Sequence, residues 1–173
     1  GTYAGVFTGN GSIVRNGSSG VGNLFFTGNS GAGFTGALVT NGGLMYVEGV
    51  ATMNASSLTI NKGGSFLISN NGTTRSGTRF LDTMPIILNS ADGAWGSETR
   101  PSGLSIRTDQ GATTNETVGV LNLASGASYF RGDATAAGAV SGIITSDIVR
   151  TNSSTINARG RALGATAGDR NFL

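Results

Sequence analysis

The sequence predicts an all-β fold built as a parallel β-solenoid, with little or no α-helix, on three observations. Apolar residues come in short β-branched or aromatic runs, such as Leu24-Phe25-Phe26, Leu44-Met45-Tyr46-Val47 and Phe66-Leu67-Ile68, separated by Gly/Asn turns. The runs repeat. No window sustains the i, i+3, i+4, i+7 apolar spacing of a helix, while Gly and β-branched residues recur throughout.

The repeat is plainest between Ala37 and Asn70. Ala37-Leu-Val-Thr leads through Asn41-Gly-Gly43 into Leu44-Met-Tyr-Val47. Ser57-Leu-Thr-Ile then leads through Asn61-Lys-Gly-Gly64 into Ser65-Phe-Leu-Ile68, with the turn Asn in the matching place. A third copy spans Val120–Gly132 around Gly126, and a weaker fourth spans Ile148–Gly160 around Asn152. Near the start, Phe7-Thr-Gly-Asn10 returns as Phe26-Thr-Gly-Asn29. Each unit is one strand–corner–strand coil whose apolar face is buried only when coils stack. Gly and Asn are expected at the corners because those positions need φ > 0. At ~20–25 residues per coil, the chain holds roughly seven to eight coils.

One domain spans 1–173, with irregular excursions about 90–118, the most densely charged stretch, and 132–147, rich in Ala and Gly. Tyr46 and Tyr129 are expected at equivalent coil positions, stacked in or beside the core.

Composition narrows the function. Thirty glycines would suit a flexible linker, but 38 % hydrophobic residues would not, so the chain folds. Charged residues make up only 12 % and the net charge of +2 is dispersed, so no nucleic-acid partner is expected. No apolar stretch approaches the ~20 residues of a membrane-spanning helix, and no membrane insertion is expected. The chain opens on Gly1 rather than Met, as a processed product or an excerpt would. The Thr/Ser/Asn/Gly-rich, Lys-poor surface leans towards an extracellular bacterial protein.

With no His and no Cys, catalytic triads and the preferred zinc and copper ligands are absent. The nine acidic residues form no calcium-loop pattern. The expectation is therefore no enzyme, no metal and no cofactor. Gly31-Ala-Gly33-Phe-Thr-Gly36 fits the dinucleotide fingerprint literally, but strand-like Ala37-Leu-Val-Thr follows where a helix should start, so it reads as a solenoid corner. Two candidate sites remain. Arg131-Gly132-Asp133 is an adhesion-type tripeptide at an expected corner. Asp92, Trp95, Glu98, Asp109 and Glu116 could line a carbohydrate face, binding or cleaving a surface polysaccharide if two carboxylates flank a glycosidic bond.

The repeats Gly5–Gly17, Asn23–Asn29 and Gly33–Leu44 resemble the autotransporter-associated β-strand repeat. Asp82–Asn89, Asn115–Leu123 and Ala158–Gly164 look like the passenger segment that follows such repeats in large bacterial surface proteins. Phe34 stands where that family usually has Tyr, and no membrane-anchoring barrel is seen in the sequence. The resemblance implies a right-handed parallel β-helix exported to the cell surface, structural or adhesive rather than catalytic. Open solenoid ends that meet head to tail form a heterologous contact, so the expected partner is a second copy of the chain, in a filament. A segment of a giant surface protein and a trimeric phage-type fibre use the same fold.

Overall fold

Successive strands of the chain fall alternately into two parallel sheets, which is the topology of a β-solenoid. A computed structural model describes residues 1–17, 22–70, 77–89, 103–108, 113–134, 139–160 and 171–172. One sheet has seven strands: β1 (Thr2–Tyr3), β3 (Asn23–Phe26), β5 (Gly43–Val47), β7 (Gly64–Asn70), β9 (Gly103–Thr108), β11 (Ala127–Ala134) and β13 (Thr155–Gly160). The facing sheet also has seven: β2 (Ile13–Arg15), β4 (Ala37–Thr40), β6 (Ser57–Asn61), β8 (Ile86–Asn89), β10 (Thr113–Ser125), β12 (Val140–Arg150) and β14 (Asn171–Phe172). No helix occurs among the described residues. On a sparse third side, two isolated parallel bridges link the early coils, Gly9 to Phe34 and Gly31 to Met53.

Register explains the core. In the second sheet Ile13, Leu38, Leu58, Ile86, Leu121 and Ile148 pair in one unbroken column. In the first, Leu24, Met45, Phe66, Leu104 and Phe130 do the same. Because strand side chains alternate faces, the neighbours of these residues point outward. The alternation visible in Ser57-Leu-Thr-Ile thus becomes a single apolar core running between the sheets. A second small cluster, Leu44, Tyr46 and Leu67 with Phe25 against them, sits on the outer face of the first sheet. There Phe25 and Tyr46 stack with ring centroids 4.5 Å apart. Tyr46 shares its column with Leu67, Ser105 and Arg131, so it is not equivalent to Tyr129 as expected; Tyr129 pairs with Asn157, two residues out of phase.

The corners hold a further column. Asn41 Nδ2 donates to Asn16 Oδ1 (2.7 Å), Asn61 Nδ2 to Asn41 Oδ1 (2.6 Å) and Asn89 Nδ2 to Asn61 Oδ1 (2.9 Å). Ser125 Oγ continues the chain by donating to Asn89 Oδ1 (2.5 Å). These rungs are 25, 20, 28 and 36 residues apart, so the ladder stays in phase while the coils vary in length. Asn41 and Asn61 therefore serve the ladder, and the left-handed backbone falls to Gly43, Gly63 and Gly126; among the described residues only Asn152 combines an Asn with positive φ. Replacing Asn61 by Ala removes one donor and one acceptor at mid-ladder. It should cost about 1–2 kcal/mol in urea unfolding, and Asn16→Ala, at the ladder's end, about half as much.

Within the two expected excursions, Gly103–Thr108, Thr113–Val118, Gly132–Ala134 and Val140–Asp147 are strand and Ala139 is buried; residues 90–102, 109–112 and 135–138 lie outside the described residues. The Gly31–Gly36 segment turns into β4, not into a helix.

Candidate functional site

Three places concentrate polar chemistry on this frame: the outer face of β9, β11 and β13, the buried Arg79 and Glu116, and the two terminal rungs.

The tripeptide Arg131-Gly132-Asp133 lies within β11, not at a corner. Alternation turns Gly132 inward and sends Arg131 and Asp133 outward. Asp133 Oδ2 accepts from Arg107 Nε at 3.2 Å and faces Arg131 Nη2 at 3.4 Å. Only 8 % of Asp133 is exposed. Its carboxylate is thus held flat on the sheet between two guanidinia, whereas an adhesive loop presents its carboxylate at an exposed tip. On the next rung the Arg159 guanidinium sits 5.1 Å over the Tyr129 ring, a cation–π arrangement. Arg107, Tyr129, Arg131 and Arg159 form a cationic, partly aromatic strip.

Of the expected carbohydrate face, Asp92, Trp95, Glu98 and Asp109 lie outside the described residues. Glu116 does not line a solvated groove: it is 0 % exposed. It sits on β10 with the inward parity of Thr114 and Val118, and its Oε1 accepts the Phe80 amide at 2.8 Å. Oε2 is buried with no hydrogen-bond partner among the described residues. Beside it lies Arg79, also 0 % exposed, which makes four hydrogen bonds. Nη1 donates to the carbonyls of Gly49 and Ala51, Nη2 to that of Ser69, and Nε to Asn70 Oδ1. Arg79 therefore ties three segments together where the third side of the coil has no regular strand to do so.

Burial pushes the Glu116 carboxyl up from its ordinary 4.5 to about 7, against the lowering effect of the Phe80 and Arg79 amides and the Arg79 charge. Burial likewise lowers Arg79, against the raising effect of Glu116 and Glu48. A carboxyl whose folded pKa lies above its unfolded value stabilises the fold fully below the unfolded value. That contribution is lost as pH rises through the folded one. The melting temperature should therefore fall between about pH 5 and pH 8, by an amount on the order of 3 kcal/mol of stability. Glu116→Gln should flatten that slope in a thermal-melt series, and a flat wild-type profile would contradict the burial argument. Among the described residues no group of three or more His, Cys, Asp or Glu converges as a metal site would need.

At the terminal rungs the core columns run out into solvent: Tyr3, which pairs with Phe26, and Ile148, which pairs with Leu121, are both exposed. β14 pairs only with Ser141 and Gly142, so from Ile143 to Arg150 the outer edge of β12 has no partner strand among the described residues. At the opposite end β2 pairs with β4 and, among the described residues, with no other strand. An open recess of about 330 Å³ lies there, lined by Gly1, Arg15, Gly22, Asn23 and Leu24.

No family model, curated protein or solved structure matches the chain. The geometry alone carries the functional reading.

Arg79 and the end-rung residues Arg15 and Arg150 escape sequence reasoning for different reasons. Arg79, in Gly77-Thr-Arg-Phe, looks like a surface charge, because the carbonyls that bury it come from other coils. Arg15 and Arg150 carried a signal: each closes an Ile-Val-Arg triplet shortly before a corner Asn.

Proposed function

We propose that this chain is a non-catalytic structural β-solenoid of the bacterial cell surface, whose rods join end to end in a filament or form one segment of a larger surface protein. The observation that carries this reading is the pair of open terminal rungs. Among the described residues each leaves strand edge without a partner and ends in an exposed apolar column residue, Tyr3 on one side and Ile148 on the other, a surface that favours further strand pairing. The two ends are complementary in direction. Asn41, Asn61 and Asn89 each donate to the Oδ1 of the Asn before, which gives the ladder one direction along the rod. Head-to-tail joining extends the ladder; head-to-head joining breaks it. The extracellular setting is supported by the Ser/Thr/Asn/Gly-rich, Lys-poor composition and by the resemblance of the repeats to autotransporter passenger segments.

Negative-stain electron microscopy of concentrated native protein at high ionic strength tests the filament version. Uniform fibres with an axial repeat of one molecule are expected. Isolated short rods at every concentration would leave only the surface-segment version standing.

A second reading, binding of an acidic polysaccharide, is favoured by the strip of Arg107, Tyr129, Arg131 and Arg159. Retention on an acidic glycan column that Arg159→Ala weakens would support it. Absence of retention across a polysaccharide panel, with no reducing-sugar release, would retire both binding and cleavage.

A further inference from the structure

Among the described residues the dipeptide Asn-Gly occurs at Asn10-Gly11, Asn16-Gly17 and Asn41-Gly42; a further copy at 71–72 lies outside them. The pair is self-reactive. The main-chain nitrogen that follows an Asn can close a five-membered ring on its side-chain Cγ, and Gly has no Cβ to hinder the approach. All three asparagines are exposed, so access to solvent does not rank them. The corner ladder does. Asn10 stands outside it and makes no side-chain hydrogen bond among the described residues. Asn16 is held through Oδ1 alone, as acceptor from Asn41 Nδ2 at 2.7 Å. Asn41 is held at both ends of its amide, donating to Asn16 and accepting from Asn61 Nδ2 at 2.6 Å. The glycines differ in the same sense. A Cβ built on Gly11 meets nothing within 4 Å, whereas one on Gly42 would lie 1.8 Å from the Gly17 carbonyl oxygen, so the main chain at Gly42 is seated on the preceding coil.

We propose that Asn10 is a site of spontaneous deamidation in the folded protein, and that the asparagine ladder withholds Asn41 from the same reaction. The Gly11 main-chain nitrogen, giving its proton to solvent base, attacks Asn10 Cγ. The N–Cγ bond forms, the Cγ–Nδ2 bond breaks and Nδ2 leaves as ammonia. Water then opens the cyclic imide at either carbonyl, to aspartate or to isoaspartate. Both products add a negative charge, and isoaspartate routes the main chain through Cβ and Cγ, one carbon longer. That carbon falls between two fixed points. The Gly9 amide donates to the Gly33 carbonyl (2.8 Å) and its carbonyl accepts from the Thr35 amide (2.9 Å), while the Gly11 carbonyl lies against Gly36. Conversion of Asn10 therefore loosens the bridge from Gly9 to Phe34 on the third side. The same event at Asn41 would exchange a donor for a carboxylate at mid-ladder, where Asn16 Oδ1 needs the donor. Deamidation at Asn10 is independent of end-to-end joining.

The test is peptide mapping by mass spectrometry of the full chain held folded in mildly alkaline buffer, with isoaspartate read by enzymatic methylation. Asn10 should convert roughly tenfold or more faster than Asn41, with Asn16 between them, because Asn41 reacts only after a local opening that breaks both its ladder bonds. In the urea-unfolded chain the three rates should converge, since the dipeptide is the same. Asn61→Ala, which removes one of the two bonds on Asn41, should speed Asn41 several-fold and leave Asn10 unchanged. Gly11→Ala, whose new methyl has open space, should suppress the reaction at Asn10. Circular dichroism of each variant checks folding, and a rise at Asn41 with none at Asn10 is a result that general unfolding does not produce. Asn41 converting as fast as Asn10 in the folded chain would overturn the proposal. So would an Asn10 that stays intact when folded and reacts only in urea, or a ranking that persists unchanged in urea.

Discussion

Arg79→Met should unfold the chain at a temperature roughly 10 °C or more below wild type, given a cost of about 4 kcal/mol and ~2–4 °C per kcal/mol at this size. Methionine is close to arginine in length, so the core is not opened. What is lost is the set of four donors that satisfies the carbonyls of Gly49, Ala51 and Ser69 and the Asn70 side chain. The acceptors at Ala51, Ser69 and Asn70 are then left in a buried setting, where an unmet polar group costs about 1–3 kcal/mol, while that of Gly49 is only partly buried. The neighbouring Glu116 loses its nearest opposite charge at the same time. Arg79→Lys should recover only part of the loss, because one ammonium cannot span acceptors on three segments. Thermal melts at pH 6 and pH 8 would check this, with the deficit of Arg79→Met larger at pH 8, where Glu116 ionises. A melting temperature within ~2 °C of wild type would show that the guanidinium is not a structural tie.

Gly36→Ala should cost about 3 kcal/mol, the second largest effect. A methyl group added at Gly36 would lie 1.8 Å from the backbone carbonyl oxygen of Gly11, and at Gly42 the same distance from that of Gly17. Both clashes are with main chain of the preceding coil, which cannot move aside without separating two rungs and breaking the ladder between Asn16 and Asn41. Gly11→Ala is the control: nothing lies within 4 Å of the added atom, so it should be close to neutral. Equal destabilisation by Gly11→Ala and Gly36→Ala would contradict rung packing as the cause, because Ala at an open position restricts the unfolded chain and does not destabilise the fold by that route.

The repeat was legible where coils are short and in phase. Ala37–Val47 and Ser57–Ile68 differ little in length, so their turn asparagines and apolar runs align by eye, and the structure stacks them as adjacent rungs. The longer coils hid the rest of the ladder: Asn89 follows Asn61 by 28 residues and Ser125 follows Asn89 by 36. A Ser in the place of an Asn adds to the difficulty, since only its position identifies it. The charged middle misled for a related reason. Thr113-Thr-Asn-Glu-Thr-Val118 reads as polar loop, yet its alternation of Thr114, Glu116 and Val118 is that of a strand with one face inward. Its inward carboxyl becomes plausible only once the Phe80 amide and Arg79 are seen beside it, and both come from a coil 36 residues earlier. Arg131 and Asp133 were recognised as a tripeptide, but pairing with Arg107 depends on the register of β9 against β11.

The central claim is that the terminal rungs are where this chain meets its own copies. Amide hydrogen exchange at two protein concentrations, in high salt, tests it most directly. Amides of Ile13–Arg15 and of Ile143–Arg150 should gain protection together as concentration rises, while Ser57–Asn61 and Gly64–Asn70 in the interior stay unchanged. End-rung exchange that is fast and independent of concentration, in material that nevertheless associates, would place the contact elsewhere and contradict the account.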